Sequence, residues 1–507
     1  MERPLHETLM DLALKRNFLI PSNELYGKSS GFYDYGPVGF LLKKKIENAW
    51  RDFFVRQEGF HEIETVHIIP EDVLKASGHV SSFADPLVAC NTCKNRFRAD
   101  FLLEEKTGKK YEGLPPNELT ELIKENKVQC PRCGGGLGSV GWFNLMFRTN
   151  IGSIDGDTAY ARPETAQGIF LDFQRIHRNS GSRLPMGIAQ VGRSYRNEIS
   201  PRQGILRLRE FTQMEIEYFF DPKDDKMEGF SSIADKPLRL LLKEGEEIIE
   251  VSAKDAVKNG LIPNEIMAYF MAKQTVFYEM LGVPFKRMHF KLLPEKEMPH
   301  YSKKNFDLCV DTSFGSIETV GNAYRGDFDL SSHGKASGND LSIVVDGKKI
   351  IPHVIEPSMG VDRMLWCILE HCYRPKTKEK EWEWFDFPPI ISPYEAAVFP
   401  LMKRDGMGEK AKEVARGLRD RYDIFYSESG SIGRRYAKAD EIGLFLAITV
   451  DYDTLNDGTV TMRERNSAKQ IRVPIKDLAD KIDKLMKGEI AFADAGVPFK
   501  AQPLNPQ

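Results

Sequence analysis

Gly192-Arg193-Ser194-Tyr195-Arg196-Asn197-Glu198 and, after a short turn, Leu206-Arg207-Leu208-Arg209-Glu210-Phe211-Thr212-Gln213-Met214-Glu215-Ile216-Glu217-Tyr218 decide how this chain is read. Alternate residues of a strand share a face. Ser194, Arg196 and Glu198 then point one way, and Val191, Tyr195 and Ile199 the other. In the second run Phe211, Gln213, Glu215 and Glu217 share a face, while Met214, Ile216 and Tyr218 have core character. The joining Ser200-Pro201-Arg202-Gln203-Gly204 is basic and turn-forming. On a sheet floor, a guanidinium and a carboxylate two residues apart suit ATP. Arg196 can bind the α-phosphate and Glu198 can accept from the adenine amino group. Either strand alone also reads as a solvated polar face.

A third segment, Glu356-Pro357-Ser358-Met359-Gly360-Val361-Asp362-Arg363, runs into an apolar helix predicted over 358–372. Arg363 stands in its first turn, where backbone amides and the helix dipole favour anions, and suits a terminal phosphate.

Working outward, residues 36–57 read as a helix, with Leu41, Leu42, Ile46, Trp50, Phe53 and Phe54 at helical spacing. A strand-like run follows through Ile63, Val66, Ile68 and Ile69 to Pro70. Strands and turns are expected over 142–220. The stretch 84–142 is charged and contains Cys90-Asn91-Thr92-Cys93 and Cys130-Pro131-Arg132-Cys133. Two CxxC turns supply a tetrahedral four-thiolate zinc site with no open position, hence a structural one. The bland alternative is two unrelated cysteine pairs. Lys/Glu-rich helical sequence between the pairs makes this a ribbon with an inserted arm. The other cysteines, Cys309, Cys367 and Cys372, read as core. Residues 222–300 read as a second insertion, with an acidic start and a helix near 264–281. Pro388-Pro389 marks a boundary, after which strand and helix patterns alternate as in a small α/β domain with a partly parallel sheet.

The three segments resemble motifs 2 and 3 of the class II aminoacyl-tRNA synthetases, and the helix and strand ending at Pro70 resemble motif 1. The resemblance is closest to the single-subunit-type (α2) glycyl-tRNA synthetases. It extends to Gly31-Phe32-Tyr33-Asp34-Tyr35-Gly36-Pro37, Ser77-Gly78-His79, Phe143-Asn144-Leu145-Met146-Phe147, Ala161-Arg162-Pro163-Glu164-Thr165-Ala166-Gln167-Gly168, Gly433-Arg434-Arg435-Tyr436-Ala437-Lys438-Ala439-Asp440-Glu441 and Thr459-Val460-Thr461-Met462-Arg463-Glu464-Arg465. It implies an α+β fold: an antiparallel sheet flanked by helices over 1–385, carrying the zinc-ribbon-like insertion 84–142 and the insertion 222–300, then an anticodon-binding domain over 386–500. It implies the ligation of glycine to tRNA(Gly) with ATP and Mg²⁺, structural Zn²⁺, and a homodimer built on motif 1.

By the same resemblance, ATP is bound by Arg196, Asn197 and Glu198, and by the run Leu206, Arg207, Leu208, Arg209, Glu210 and Phe211, whose phenyl ring stacks on adenine. Glu318, with Thr319, lies near the phosphates and magnesium, and Gly360, Val361, Asp362 and Arg363 complete the nucleotide site. Arg196, Glu198 and Arg363 carry the catalysis. Glycine is held by Arg98, Glu164, Arg325, the run Phe211, Thr212, Gln213, Met214 and Glu215, and the run Glu356, Pro357, Ser358, Met359 and Gly360. This chain departs from the family at Asn322, where an apolar residue is common, and at Tyr324, where His, Asn or Asp is common.

The chain has 507 residues, 41% hydrophobic and 29% charged, with a formal net charge of −3, so RNA binding must rely on local basic patches such as Arg434, Arg435 and Lys438, expected on a turn. No apolar run is long enough to span a membrane, and the start lacks an apolar signal core, so a cytoplasmic location is expected. Two rivals stay open: a class II synthetase for threonine, proline or histidine, and a non-enzymatic relative such as the accessory subunit of mitochondrial DNA polymerase.

Overall fold

A computed structural model describes residues 3–499 except 28, 29, 112, 154, 155, 182, 202, 203, 346 and 379. Its centre is a nine-stranded sheet of β1 (His61–Glu62), β2 (Met186–Tyr195), β3 (Glu210–Phe220), β4 (Pro237–Leu241), β5 (Ile249–Ser252), β6 (Met288–Leu292), β7 (Lys304–Thr312), β8 (Gly315–Gly326) and β9 (His353–Gly360). The strand order is β5-β4-β6-β7-β8-β9-β3-β2-β1. The middle of the sheet is antiparallel, from β6 through β2. The hairpin read from the sequence is β2 and β3, paired from Met186↔Phe219 to Tyr195↔Glu210. Of its turn, Arg202 and Gln203 lie outside the described residues.

The two faces of the sheet fare differently, and that difference makes the site. Met214, Ile216, Tyr218 and Phe220 of β3 pack with Met359, Val320, Leu308 and Phe306 in the largest core cluster. Helices α1 (Pro37–Trp50), α3 (Glu265–Met280) and α5 (Val361–Cys372) supply much of the rest of that cluster. The α3 helix is apolar on nearly all sides and almost wholly buried, as such a helix must be. On the opposite face, α2 (Ala166–Asn179) and α4 (Phe328–Ser337) cover only the Phe219 end, through Phe170, Phe173 and Leu330. The Phe211 end of that face is left to a cleft.

Four readings of the sequence meet a different structure. The expected strand from Ile63 to Pro70 is split. His61–Glu62 lies on the edge of the main sheet, whereas Ile68–Pro70 pairs with Asp157–Ala161 in another sheet. Residues 142–220 hold a helix, α2, as well as strands. Its Gly168 has a packing reason: a Cβ there would come within 2.4 Å of Thr65 Oγ1. The 222–300 stretch gives three strands to the central sheet, β4, β5 and β6, beside the expected helix α3. Arg434, Arg435 and Lys438 lie on a helix rather than a turn, as described below.

The 84–142 stretch forms a three-stranded sheet of Ala84–Ala89, Arg96–Arg98 and Gly141–Asn144, with helices Ala99–Thr107 and Pro116–Glu125 and its own small core. Beyond residue 388 stand β10 (Ala396–Pro400), β11 (Ile424–Tyr426), β12 (Leu446–Val450), β13 (Thr459–Glu464), β14 (Gln470–Pro474) and β15 (Val497–Phe499), with α6 (Met407–Arg419), α7 (Ile432–Glu441) and α8 (Leu478–Met486). The order is β11-β10-β12-β13-β14-β15; β10 is parallel to β11 and β12, and the rest are antiparallel. Ser431 caps α7 by accepting from the Arg434 amide. Arg435 is buried there and donates to the Pro400 and Leu401 carbonyls, while Arg434 and Lys438 are exposed.

Candidate active site

A cleft of about 930 Å³ lies on the half-covered face of the sheet. Its lining draws together residues far apart in sequence: Arg196, Glu198 and Phe211 of the hairpin, Glu318 and Thr319 of β8, and Ser358, Gly360, Asp362 and Arg363 around the start of α5. Glu164, Gln213 and Glu356 line the same cleft, as do Leu206, Arg207 and Leu208. Gly321 and Ala323 give it a small-residue floor.

The hairpin end is cationic. The Arg196 guanidinium lies 5.2 Å from the ring centres of both Phe83 and Phe211, and its Nε donates to the Pro163 carbonyl at 3.1 Å. Among the described residues no carboxylate pairs with it. Arg363 donates from Nε to the Leu206 carbonyl and from Nη1 to the Glu318 carbonyl, with Glu318 Oε2 at 3.3 Å. Arg207 stands 3.8 Å from Glu198 and 5.0 Å from the Phe101 ring. Arg98 also lies near that ring, 4.0 Å from its centre, paired with Asp85 and Asp100 and outside the cleft's lining. Arg98 thus touches the site through Phe101, which joins the cysteine module to the hairpin.

Toward the Glu215 end of β3 the surroundings turn acidic, with Glu164 and Glu356 in the lining and Glu215 buried behind it. Gln213 faces Gly360 across the strand pair, and Glu215 faces Ser358. Ala323 of β8 faces Glu356. Arg325 is fully buried. It donates twice to Asp329, at 2.7 and 2.8 Å, and once to Glu356 at 2.6 Å, and lies 3.5 Å from Glu164 and 3.7 Å from the Tyr301 ring centre. Gln167 donates to Glu164 and Asp329. Thr165 donates to Glu215. Burial alone would raise the Glu164 carboxyl, but His79 at 3.4 Å and Arg325 hold it well below the usual carboxylate range. Burial pushes Glu356 well above that range, against the pull of Arg325. Burial, with Glu356 beside it, does the same to Glu217.

Alternation sorts the residues of the two contiguous runs. Met214 and Met359 are in the core on the far side of the sheet. Thr212 is buried; its amide donates to Asp362 Oδ2 at 2.7 Å, and Asp362 also accepts from the Tyr35 hydroxyl. Asp362 therefore holds the start of α5 to β3. Pro357, Val361, Glu210, Arg209 and Asn197 are not in the lining, and neither is Glu215, which is fully buried. Glu210 pairs with Arg193 at 3.1 Å, Arg209 donates to the Glu198 and Ser30 carbonyls, and the Asn197 amide donates to the Leu145 carbonyl. Asn322 and Tyr324 face the helix side: Asn322 exchanges hydrogen bonds with Gln274 of α3, and Tyr324 bonds His353.

Sequence reasoning passed over His79, Phe83, Gln167, Tyr301 and Asp329, which complete the site. His79 and Gln167 fall inside quoted segments without a role. Asp329 carries a helical i,i+4 signal from Arg325. Tyr301 has no sequence signal.

The four cysteines of the module converge. Their sulfurs lie within 4.8 Å of one another, with Cys90–Cys133 and Cys93–Cys130 both at 3.6 Å. A tetrahedron of Zn–S bonds of about 2.3 Å spaces its sulfurs at about 3.8 Å, so the set fits zinc. Asn95 donates to Cys93 Sγ at 3.0 Å and lowers that thiol to about 6, toward the thiolate a metal requires.

Residues 147–372 match the tRNA synthetase class II core domain (G, H, P, S and T), and 395–485 match an anticodon binding domain. The chain is 40% identical to a glycine–tRNA ligase of Methanocaldococcus jannaschii, covering 96% of this chain and 100% of that one. It is 41% identical to one of Methanothrix thermoacetophila, with 98% and 100% covered, and 40% identical to one of Aeropyrum pernix, with 99% and 100% covered. Among solved structures, prolyl-tRNA synthetase from Cryptosporidium parvum, complexed with halofuginone and AMPPNP, shares the fold, with a TM-score of 0.56 at 13% identity, covering 95% of this chain and 77% of that one.

Proposed function

The chain belongs to the glycine–tRNA ligase family, and from that premise we propose how its residues carry out the two steps: glycine and ATP give glycyl-adenylate and pyrophosphate, and the adenylate then passes its glycyl group to the 3′-terminal hydroxyl of tRNA(Gly). The observation that carries this reading is one cleft with Arg196, which no carboxylate among the described residues pairs with, beside Phe211 at one end, and Glu164 and Glu356 around Arg325 at the other, with Glu215 buried behind them.

Phe211 stacks the adenine and Glu198 accepts from its amino group. Arg363 holds the terminal phosphates. Arg196 faces the α-phosphate, where charge redistributes as the glycine carboxylate oxygen attacks and pyrophosphate leaves. Glu318, beside Arg363, would hold Mg²⁺, which when bound would add charge neutralisation at the phosphates. Catalysis is mostly orientation and electrostatics. The ammonium is the only charged handle at the other end, so Glu164 and Glu356 converge on it, with Ser358 and Gln213 beside them. Selectivity is steric: every competing amino acid has a side chain that overlaps the wall, and steric exclusion of this kind requires no editing site.

Zinc on Cys90, Cys93, Cys130 and Cys133 is proposed as structural. The active unit is proposed as a homodimer. Exposed Val66 and Ile68, beside the break in the motif 1 strand, support this as apolar surface in need of a partner. Among the described residues no helix is long and apolar enough to cross a membrane, and we place the enzyme in the cytoplasm. The decisive experiment is glycine-dependent ATP–pyrophosphate exchange with glycylation of tRNA(Gly). Exchange with threonine, proline or histidine instead of glycine, or with none, would overturn the reading.

A further inference from the structure

Beneath the acidic end of the cleft lies a carboxyl that the reaction as described leaves unused. Glu217 is fully buried on β3, two residues past Glu215, and among the described residues neither of its oxygens has a hydrogen-bond partner. One oxygen each of Glu215, Glu217 and Glu356 lie within 4.8 Å of one another. Glu215 Oε1 likewise has no partner among the described residues. Of the charged groups around Glu217, Glu215 is on its own strand, Glu356 on β9, Arg325 on β8 and Asp329 on α4. On β2 the residue opposite is Ile188. The one arginine among these spends its short hydrogen bonds on Asp329 and Glu356 and has none for Glu217.

An ionised carboxylate buried without a donor costs several kcal/mol. A cluster with Glu215, Glu217, Glu356 and Asp329 around Arg325 would also hold a large excess of negative charge. Both are relieved if Glu217 is a neutral acid in the empty enzyme. An ammonium entering against Glu164 and Glu356 supplies the missing positive charge, and a nearby cation favours ionisation of an acid by about 1–3 pKa units. We propose that Glu217 is a specificity-determining acid for the ammonium: it carries a proton in the empty pocket and releases it when glycine binds. The exchange balances. The Glu217 O–H bond breaks, its electron pair stays on the carboxylate, the proton passes to solvent, and one positive charge enters as one leaves. A ligand of the same shape without an ammonium gains nothing from this exchange. The inference rests on the glycine reading of the site.

The test is calorimetry of 5′-O-(N-glycylsulfamoyl)adenosine and its acetyl counterpart, which lacks the amino group, in buffers of different ionisation enthalpy. At about pH 6.5 the glycyl amino group is itself protonated. Wild-type enzyme is expected to release roughly one more proton with the glycyl analogue than with the acetyl one. Glu217→Gln should abolish the difference. In pyrophosphate exchange, wild-type 1/KM for glycine should rise with pH, at most about tenfold per unit, until the raised Glu217 carboxyl titrates, and be nearly flat in Glu217→Gln, with KM for ATP unchanged. Equal proton release by wild-type enzyme with both analogues overturns the proposal, and that arm needs no variant to fold. A glycyl–acetyl difference that persists in Glu217→Gln overturns it too. Absence of glycine-dependent exchange in wild-type enzyme would overturn the glycine reading along with it.

Discussion

Replacing Arg325 by methionine, which keeps most of the stem and removes the charge, tests whether this residue holds the acidic end of the cleft together. Its guanidinium makes three hydrogen bonds of 2.6 to 2.8 Å to Asp329 and Glu356, stands 3.5 Å from Glu164, and lies 3.7 Å from the Tyr301 ring centre, all in full burial. Losing one partner of a buried ion pair costs about 3–5 kcal/mol. A ceiling on that cost comes from protonation. An acid left unpaired can go neutral, and at 1.36 kcal/mol per unit this costs about 4 kcal/mol at pH 7 for a group of ordinary pKa near 4. The two figures agree, so a loss of about 4 kcal/mol is expected, a fall in Tm of about 8 °C at the lower slope of about 2 °C per kcal/mol that suits a large domain. The sign with pH follows. In the variant the folded state holds the extra proton and the unfolded state does not, so stability falls as pH rises above about 4. Between pH 7 and pH 5 the deficit should shrink by about 2.7 kcal/mol. Thermal unfolding of both proteins at pH 5 and pH 7 reads this directly. An unchanged Tm at pH 7, or a deficit that grows toward pH 5, would refute the electrostatic account of Arg325.

Arg196→Ala should lower the rate of pyrophosphate exchange by about a hundredfold or more, on the scale of about 3 kcal/mol for one preorganised donor, with a smaller change in KM for ATP; a dominant KM effect would reassign Arg196 to ground-state binding. Glu164→Gln and Glu215→Gln should mainly raise KM for glycine, because the ammonium they recognise keeps its charge through adenylation; exchange assays with glycine varied at fixed ATP decide it. Metal analysis should find about one zinc per chain, and Cys130→Ser should loosen the 84–142 module, read by proteolysis, before ATP binding suffers; a metal-free protein of full stability would end that idea. Glu217→Gln should flatten the pH dependence of Tm of the empty enzyme: its carboxyl is raised by folding, so the folded state binds more protons above about pH 4.5 and wild-type stability declines as pH rises toward the folded value.

Much of the site was legible because it lies on two strands whose period of 2 is visible in the sequence. The alternation separated Phe211, Gln213, Glu215 and Glu217 from Met214, Ile216 and Tyr218, and the latter three are core. The same rule shows why contiguous runs overreach: Met214 and Met359 fall inside the runs but pack in the core on the far side of the sheet. What escaped was non-local. Asp329 reaches Arg325 from a helix, and Tyr301 comes from a loop with no pattern of its own. The 222–300 stretch looked separate because its strands are short and begin at Pro237 and after acidic turns. Their place in the central sheet is set by distant pairing, Leu240 against Phe290 and Leu308 against Phe290. The α2 helix did carry a helical signal in Ile169, Phe170 and Phe173, but it lay between runs that read as strand.

On the proposed reading of the site, the charges at the two ends of the cleft also fix which way round glycine lies. Phe211 and Glu215 are four residues apart, about 13 Å on one strand. Arg196 comes from the strand end beside Phe211, since Ser194 pairs with Phe211, whereas Glu356 and Arg325 lie beyond Gly321 toward the Glu215 end. A zwitterion between these poles has one low-energy orientation. Its carboxylate faces the arginine and the α-phosphate, and its ammonium faces the acids. The reverse orientation would set carboxylate against carboxylates and ammonium against guanidinium. At an effective dielectric near 20, one unit-charge contact at 4 Å is worth about 4 kcal/mol, so reversing two contacts disfavours that pose by far more than thermal energy. Orientation is therefore set before any bond forms. The half-covered face of the sheet makes it possible, because α2 and α4 bury the acidic end while the Phe211 end stays open for the nucleotide.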